Sequence, residues 1–188
     1  MRLTTFKDVD HAYISDSADQ LDLDWIDVVD LVTSHFPVKE KAQCPLFNLS
    51  EFRAIGAPDA LLGQKQIYKN GQPSGEYETI PNTVRRCKEN VLSISGIILD
   101  MDAHMRIEEA MDLYRDLEFV LYTTFNHTAE RHKFRMILPF TQPLLGADIP
   151  KKLPNIKETF ANTDRASFNL SQGFYLHSGQ FPQIEYNN

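Results

Sequence analysis

An apolar run at residues 96–99 leads directly into Asp100-Met101-Asp102. This pattern predicts a strand that carries two carboxylates at its carboxyl end. Because strand residues alternate between faces, Asp100 and Asp102 should point to the same side, with Met101 packed on the other. Two like charges held this close repel each other unless a positive group lies between them. Mg²⁺ or Mn²⁺ would meet that need, and a solvated turn at the end of the strand is the simpler alternative.

Three further segments follow this strand. Apolar residues recur at helical spacing over residues 106–117 and predict an amphipathic crossover helix. Two runs rich in β-branched and aromatic residues, 119–125 and 134–139, predict strands, the second ended by Pro139. The order strand, helix, strand, loop, strand predicts a parallel pair with a third strand as its neighbour.

The loop between the last two strands is polar and contains His127 and Lys133. Its cations suit a triphosphate. Arg135 lies inside the apolar strand that follows, where its guanidinium needs a carboxylate or a phosphate partner. A structural ion pair is the alternative for Arg135, and an ordinary surface position is the alternative for His127.

Asp164 is the candidate for a third carboxylate, which a two-metal site generally needs. It follows an amphipathic segment at residues 154–161 and precedes a strand-like run at residues 174–176. Alternatively, its side chain only caps the turn into the next segment.

Taken in order, these pieces resemble a primase-polymerase of the archaeo-eukaryotic primase superfamily, of the type found in phages and plasmids. The resemblance covers about residues 80–178 and rests on Asp164 and on the segments 85–91, 99–102, 122–128, 134–139 and 171–176. Phe125 and His177 depart from the family pattern, which has a small residue and a proline at those positions.

The resemblance implies an α+β fold in one domain over residues 1–188. Residues 81–178 would form an RRM-like catalytic core with a mixed sheet and flanking helices, and residues 1–80 an amino-terminal α/β elaboration. The implied enzyme is a DNA primase and DNA-directed DNA polymerase that performs two-metal nucleotidyl transfer with Mg²⁺ or Mn²⁺. Its implied metal ligands and catalytic residues are Asp100, Asp102 and Asp164, and His127 and Arg135 would contact the incoming nucleoside triphosphate.

Three further residues are weaker candidates for contacts to the substrate. Lys133 would help to neutralise the phosphates. Ser171 and Gln172 would hydrogen-bond the nucleotide or the template, with packing or turn roles as equally good alternatives.

The net charge of −7 over 188 residues needs explanation in a protein expected to bind a single-stranded DNA template. Residues 1–30 contain two basic and eight acidic residues, so the rest of the chain carries only about −1. Basic clusters at residues 85–88, 131–135 and 151–157 are candidate contacts to the phosphate backbone, although each alone is more often a solvated surface. We expect weak, salt-sensitive DNA binding.

Composition agrees with a globular protein of the cytoplasm, in a bacterial host if a phage or plasmid encodes it. No apolar stretch approaches the ~20 residues of a membrane span, and the amino terminus lacks a signal-peptide pattern. The two cysteines, Cys44 and Cys87, have neither zinc nor disulfide spacing. Since the family's catalytic domain often precedes a helicase domain, a replicative helicase is an expected partner and the chain is compatible with a fragment of a longer replication protein.

Two other functions stay open. A non-catalytic replication or DNA-binding module with the same fold is the main rival. A haloacid-dehalogenase-like phosphatase also places Asp-x-Asp after an apolar strand, but it expects Thr or Val two positions beyond the second Asp, where this chain has His104.

The amino-terminal region predicts two local elements. Helical spacing of Trp25, Val28 and Val32 predicts a helix that packs its tryptophan into the core, with base stacking as the alternative. A turn cluster at residues 69–75 predicts a hairpin between short strands.

Overall fold

The computed structural model describes residues 1–7, 13–16, 19–36, 38–102, 105–177 and 184–187, and the statements that follow concern those residues. Its α-helices are α1 (Trp25–Thr33), α2 (Ile107–Leu113) and α3 (Ile149–Thr159), and 3-10 turns cover Lys41–Gln43, Lys88–Asn90 and Arg165–Phe168. The strands are β1 (Arg2–Phe6), β2 (Tyr13–Ile14), β3 (Gln20–Asp22), β4 (Leu46–Asn48), β5 (Ser50–Phe52), β6 (Gly63–Lys69), β7 (Gln72–Ile80), β8 (Val84–Arg85), β9 (Val91–Asp102), β10 (Phe119–Thr123), β11 (Lys133–Leu145), β12 (Phe174–Tyr175) and β13 (Ile184–Asn187). The protein is therefore of the α+β class, as predicted.

Five strands form the central sheet in the order β13-β10-β11-β9-β5, and every neighbouring pair is antiparallel. The predicted parallel pair and mixed sheet are wrong, because β11 inserts between β9 and β10. The connection over residues 124–132 joins β10 and β11 as an antiparallel hairpin, and the long apolar run of β11 then pairs with β9. β9 and β10 still run in the same direction, which is why a helix, α2, connects them.

Strand β11 continues through Pro139, where the sequence predicted that it would end. Pro139 lies opposite Gly96, and the register with β9 shifts between Pro139 and Leu144. A strand accommodates proline at such an irregularity because the missing N–H is not needed there. Pairing with β9 therefore resumes at Leu144.

A second antiparallel sheet, in the order β12-β4-β1-β3, covers one face of the central sheet. Leu3, Phe47 and Phe174 of this sheet pack in one core with Ile98 and Ile137 of the central sheet. The segments 1–80 and 81–178 share both sheets, since β5 is an edge of the central sheet and β12 an edge of the second. The two segments therefore fold around common cores.

The opposite face of the central sheet packs against α2 and the end of α3. Ile97, Leu99 and Met101 of β9 share a core there with Ile107 of α2 and Phe160. Alternate residues of β9 thus belong to different cores, which is the alternation expected of a strand buried on both faces.

The elements predicted in the amino-terminal region are present. Val28 and Val32 of α1 are buried and Trp25 packs against the same core, as expected. The β6–β7 hairpin turns at Asn70 and Gly71. Their φ angles are 54° and 76°, and a two-residue type I′ turn requires positive φ at both positions. Helix α2 is shorter than predicted, since it ends at Leu113 and a turn closed by the Leu117 N–H follows.

None of the described helices has the length and apolar character needed to span a membrane.

Gly96 lies on β9 opposite Pro139 of β11, and we predict that Gly96→Ala destabilises the fold. A Cβ at this position would lie 2.5 Å from the carbonyl oxygen of Leu138 and 3.0 Å from Cδ1 of Leu49. Because the first neighbour is backbone, the strands would have to separate, and we expect a loss of about 2 kcal/mol in the free energy of unfolding. Urea denaturation would measure it.

Leu92→Ala is the control in the same strand, because Leu92 is partly exposed. Its expected cost is under about 1 kcal/mol. An equal loss in both variants would show that the close approach at Gly96 does not constrain the sheet.

Candidate active site at the end of strand β9

The register of β9 and β11 places each carboxylate of Asp100-Met101-Asp102 opposite a cation. Asp100 is the Cα partner of Arg135, and Asp102 is the partner of Lys133. Met101 belongs to the core on the helical side, so both acids lie on the face that packs against the second sheet. The predicted alternation is confirmed, and the acids and cations form two cross-strand pairs between the sheets.

Asp100 and Arg135 form the buried pair. The Arg135 Nε lies 3.3 Å from one carboxylate oxygen of Asp100, and Nη2 donates to the other at 3.4 Å. The side chains are 6% and 23% exposed, so the pair is largely shielded from water. Nη1 donates to the carbonyl oxygen of Tyr175 at 3.0 Å. One guanidinium therefore joins β9 of the central sheet to β12 of the second sheet.

The backbone of Asp100 is held from the other side of β9. Its N–H donates to the Ser167 hydroxyl at 2.9 Å, and its carbonyl accepts from the N–H of Asp164 at 3.0 Å. Both groups thus point away from β11. Asp100 and Arg135 are therefore a non-hydrogen-bonded pair of the antiparallel ladder. In such pairs the two side chains lie closer together, which explains the contact between Asp100 and Arg135.

Asp102 and Lys133 form the more exposed pair. The Lys133 ammonium donates to the Asp102 carboxylate, and the side chains are 12% and 46% exposed. This hydrogen bond holds the pKa of the Asp102 carboxyl below its usual value, against the opposing effect of partial burial. Asp102 is therefore an ionised carboxylate that stays open to solvent on one side.

Tyr122 completes the buried part of the site. Its hydroxyl donates to the Tyr175 carbonyl at 2.9 Å, which is the acceptor that Arg135 also uses. Burial raises the pKa of Tyr122 to about 12. The hydroxyl consequently stays protonated and acts as a fixed donor.

Lys41 is a site residue that the sequence analysis missed. Its ammonium lies 4.9 Å from the centre of the Tyr175 ring. Burial lowers the pKa of Lys41, as does Arg135, while Asp100 raises it. Lys41 lies in a 3-10 turn between helix and strand, about 60 positions before the acids, and no local pattern links it to them.

His127 is buried in the connection between β10 and β11. Its Nδ1 accepts the backbone N–H of Lys133 at 3.1 Å, so a neutral ring carries its proton on Nε2. Burial lowers the pKa of His127, and the His132 ring, 5.5 Å away, lowers it further. The alternative of a surface histidine is wrong. His127 fixes the backbone of the residue whose side chain pairs with Asp102.

Asp164 lies beside β9, but its carboxylate is used locally. One oxygen accepts the N–H of Ala166 at 2.7 Å and so caps the 3-10 turn Arg165–Phe168. The capping alternative is therefore observed. In the part of the chain that the structure describes, no three His, Cys, Asp or Glu side chains are grouped as a metal site.

Ser171 and Gln172 make local hydrogen bonds. The hydroxyl and the N–H of Ser171 both donate to the Asn169 carboxamide, and the Gln172 side chain donates to the carbonyl of Gly173. The Gln172 carbonyl accepts from Asn48 of β4 at 2.6 Å. Both residues thus have turn roles, the alternative left open by the sequence.

His177, which departs from the family pattern, is fully buried behind the site. Its Nδ1 donates to the Thr123 carbonyl at 3.0 Å, and its ring packs against those of Tyr122 and His35. Its Nε2 is buried and has no hydrogen-bond partner among the residues that the structure describes. Burial lowers the pKa of His177, and the neighbouring His35 lowers it further.

No protein-family model, curated protein or solved structure matches this chain.

We predict that the two ion pairs differ in their effect on stability. Arg135→Met would leave Asp100 without its cation in a shielded position, so we expect a loss of about 3 kcal/mol in the free energy of unfolding. Lys133→Met removes a pair whose acid is half exposed, and we expect under about 1 kcal/mol. Chemical denaturation of both variants would measure the difference, and similar losses would contradict it.

We also predict that acid destabilises the protein partly through His177. Its folded pKa lies below the unfolded value of about 6.5, so the unfolded state binds the proton more readily. The stability contributed by the neutral ring is full above that value and is lost as the pH falls. In His177→Asn, which keeps a donor for the Thr123 carbonyl, the decline of unfolding free energy between pH 7.5 and pH 5.5 should be shallower.

Unfolding curves at several pH values would test this, because the comparison depends on their slope and not on the absolute stability of the variant. An identical slope in the two proteins would show that His177 does not titrate on unfolding.

Proposed function

We propose that this chain is a template-directed nucleotidyltransferase of the primase-polymerase kind, acting with nucleoside triphosphates on single-stranded DNA in phage or plasmid replication. The observation that carries the proposal is the placement of Asp100 and Asp102 side by side on one face at the carboxyl end of β9, next to Lys133, Arg135 and Lys41. Carboxylates for a metal ion and cations for phosphate are the two requirements of phosphoryl chemistry. A replicative helicase would be a further partner.

The strand order supports an RRM-like core as part of this proposal. β10, β11 and β9 are adjacent in that order, and α2 connects β9 to β10. This is the split β-α-β arrangement found in RRM-like and ferredoxin-like sheets. The position on the other side of β9 is held by β5, from the amino-terminal segment.

The donor set fits one Mg²⁺ or Mn²⁺ ion held by Asp100 and Asp102. Magnesium typically binds through one or two carboxylates and substrate phosphates and keeps several waters. Neither contact between Asp100 and Arg135 is as short as in a strong bidentate pair, and Nε of Arg135 makes no hydrogen bond within the described part of the chain. The Asp100 oxygens are therefore not saturated. When bound, such an ion would supply positive charge that activates the attacking hydroxyl and neutralises the phosphates.

A second ion would require a third carboxylate, and Asp164 is the residue expected to provide it. Its backbone adjoins Asp100, and only one of its oxygens caps the 3-10 turn. Reorientation of the Asp164 side chain would bring its carboxylate toward Asp100 and Asp102.

The other residues would position substrate. Arg135 fixes the orientation of Asp100. If a metal ion bound Asp102 in place of Lys133, the Lys133 ammonium would be free to bind a substrate phosphate. His127 carries its proton on Nε2, because Nδ1 accepts the Lys133 N–H, and could donate that proton to a phosphate oxygen.

One observation favours the non-catalytic alternative. Each acid already has a cation, so the four side chains of the two pairs form a neutral set that can stabilise the contact between sheets without a metal ion. A replication or DNA-binding module could keep the pairs for that reason alone. The enzyme and the non-catalytic module differ in whether Asp100 and Asp102 are needed for catalysis.

We predict that the intact chain incorporates nucleotides on single-stranded DNA, with Mg²⁺ or Mn²⁺, and that Asp102→Asn lowers the rate by about 100-fold or more. Asp102 is the better test residue because it is half exposed, so the variant should still fold. Primed and unprimed templates would be compared in both metals, and the unprimed reaction would reveal primase activity.

Asp27→Asn on the exposed side of α1 is the matched control, with the same loss of charge and unchanged activity expected. Absence of product in every reaction, together with absence of nucleotide binding, would contradict the proposed enzyme and favour the non-catalytic module.

A further inference from the structure

Helix α2 is too short to cover the whole of its side of the central sheet. It ends at Leu113, and the chain turns before β10 begins at Phe119. A pocket of about 310 Å³ lies between this turn, strands β9 and β11 and the end of α3. That volume is near the lower limit of ligand pockets, which measure about 300–1,000 Å³. It suits one long side chain better than a helix or a cofactor.

The floor of the pocket is apolar and aromatic. Ile97 of β9 and Leu138 of β11 are ladder partners, and they are 6% and 5% exposed. Phe140 of β11 and Phe160 at the end of α3 supply two rings. Apolar surface of this kind holds the carbon chain of a long side chain, and aromatic rings attract a cation. The floor therefore fits a side chain with an apolar stem and a positive end.

The rim of the pocket carries negative charge that the protein does not compensate. Asp116 and Glu118 line it, are exposed, and form no ion pair with any residue that the structure describes. None of the described lining residues is basic. The adjacent Arg115 is already paired with Asp112, at 3.0 Å. The charge of the rim therefore complements a cationic ligand.

The rim is held in place before any ligand binds. The N–H of Leu117 donates to the Tyr114 carbonyl at 2.9 Å, which closes the turn. The carboxamide of Asn187, in β13, donates to the carbonyls of Arg115 and Leu117 at 2.6 Å and 3.0 Å. Because the turn is already fixed, binding would cost little conformational entropy there.

We propose that this pocket binds an arginine side chain of a partner protein. The planar guanidinium of arginine can lie against the rings of the floor and has donors for both carboxylates of the rim, which suits it better than the compact ammonium of lysine. Leu117 lines the rim, is 42% exposed, and offers apolar surface to the residue next to the arginine. This surface favours a protein segment over a free guanidinium compound.

The pocket and the candidate active site lie on opposite faces of the central sheet. Ile97 and Leu138 belong to the core on the helical side, whereas Asp100 and Asp102 lie on the side of the second sheet. A partner bound in the pocket would therefore leave the candidate active site open. The inference does not rest on the proposed function.

Titration of the isotope-labelled chain with acetyl-leucyl-arginine amide, followed by NMR, would test the pocket. We expect the backbone amide signals of Leu117, Glu118 and Thr141 to shift and to saturate in the millimolar range, as for a single side chain. The same peptide with citrulline in place of arginine keeps the shape without the charge. We expect it to bind about 10-fold more weakly.

Two variants separate the contributions of charge and rings. The double variant Asp116→Asn, Glu118→Gln should weaken binding of the arginine peptide by about 10-fold, as for the loss of two exposed ion pairs. Phe140→Leu keeps the floor apolar but removes a ring, and we expect about 3-fold weaker binding. The double variant Asp27→Asn, Asp30→Asn is the matched control, because both acids are exposed on α1, which packs in the other core. Its affinity should be unchanged.

Four outcomes would overturn the inference. Absence of any shift at the highest soluble peptide concentration would exclude the pocket as a binding site. Equal binding of the arginine and citrulline peptides would show that charge does not select the ligand. Equal weakening in the α1 control would show that only the net charge matters. Binding of acetylarginine amide as tightly as the dipeptide would indicate a site for a small guanidinium compound and not for a protein.

Thermal unfolding would confirm that each variant is folded. If Phe140→Leu does not fold, the double variant of the two rim acids decides the matter, since both are exposed.

Discussion

The contact between Asp100 and Arg135 is the interaction on which the site depends. Arg135 binds a carboxylate of the central sheet and a backbone carbonyl of the second sheet at once. A guanidinium so shielded is costly to bury unless its charge is paired. The two sheets must therefore meet with Asp100 and Tyr175 in register, and the rest of the site is arranged around that meeting point.

The same arrangement links stability to function. Asp100 compensates Arg135, so a change at this acid removes a candidate metal ligand and a structural partner together. Asp102 is less coupled to the fold, because its own carboxylate is half exposed, although Lys133 is mostly buried. The two acids are equivalent in the sequence pattern, but burial makes one of them structural as well as chemical.

Local sequence patterns predicted the helices and strands well, but they predicted poorly which strands pair with each other. The period of two at Asp100 and Asp102, and the helical spacing around Val28 and Val32, depend only on neighbouring residues and were found as predicted. The position of β11 between β9 and β10 depends on which long-range ladder buries more apolar surface, and no spacing encodes that. Pro139 failed as a stop signal because a register shift accommodates it.

The site itself shows the same division. Arg135 was recognised because a charged residue inside an apolar strand needs a partner. Its partner is the Asp100 carboxylate, and an ion pair was one of the two possibilities considered. For Asp164 the capping hydrogen bond to Ala166 was one of the two alternatives considered, whereas the hydrogen bond of His127 to the Lys133 N–H could be seen only in three dimensions. Lys41 had no signal at all, since its proximity to the acids arises from the pairing of β4 with β12.

The excess of negative charge in the sequence is consistent with a site that attracts anions. Charge acts over about 10 Å or less at physiological salt, so an acid farther than that from the site is largely screened from it. Within the site, Lys41, Lys133 and Arg135 lie around Asp100 and Asp102, which leaves one positive charge in a partly buried setting. A local potential of that sign, and not the net charge of −7, determines which ligand the site attracts.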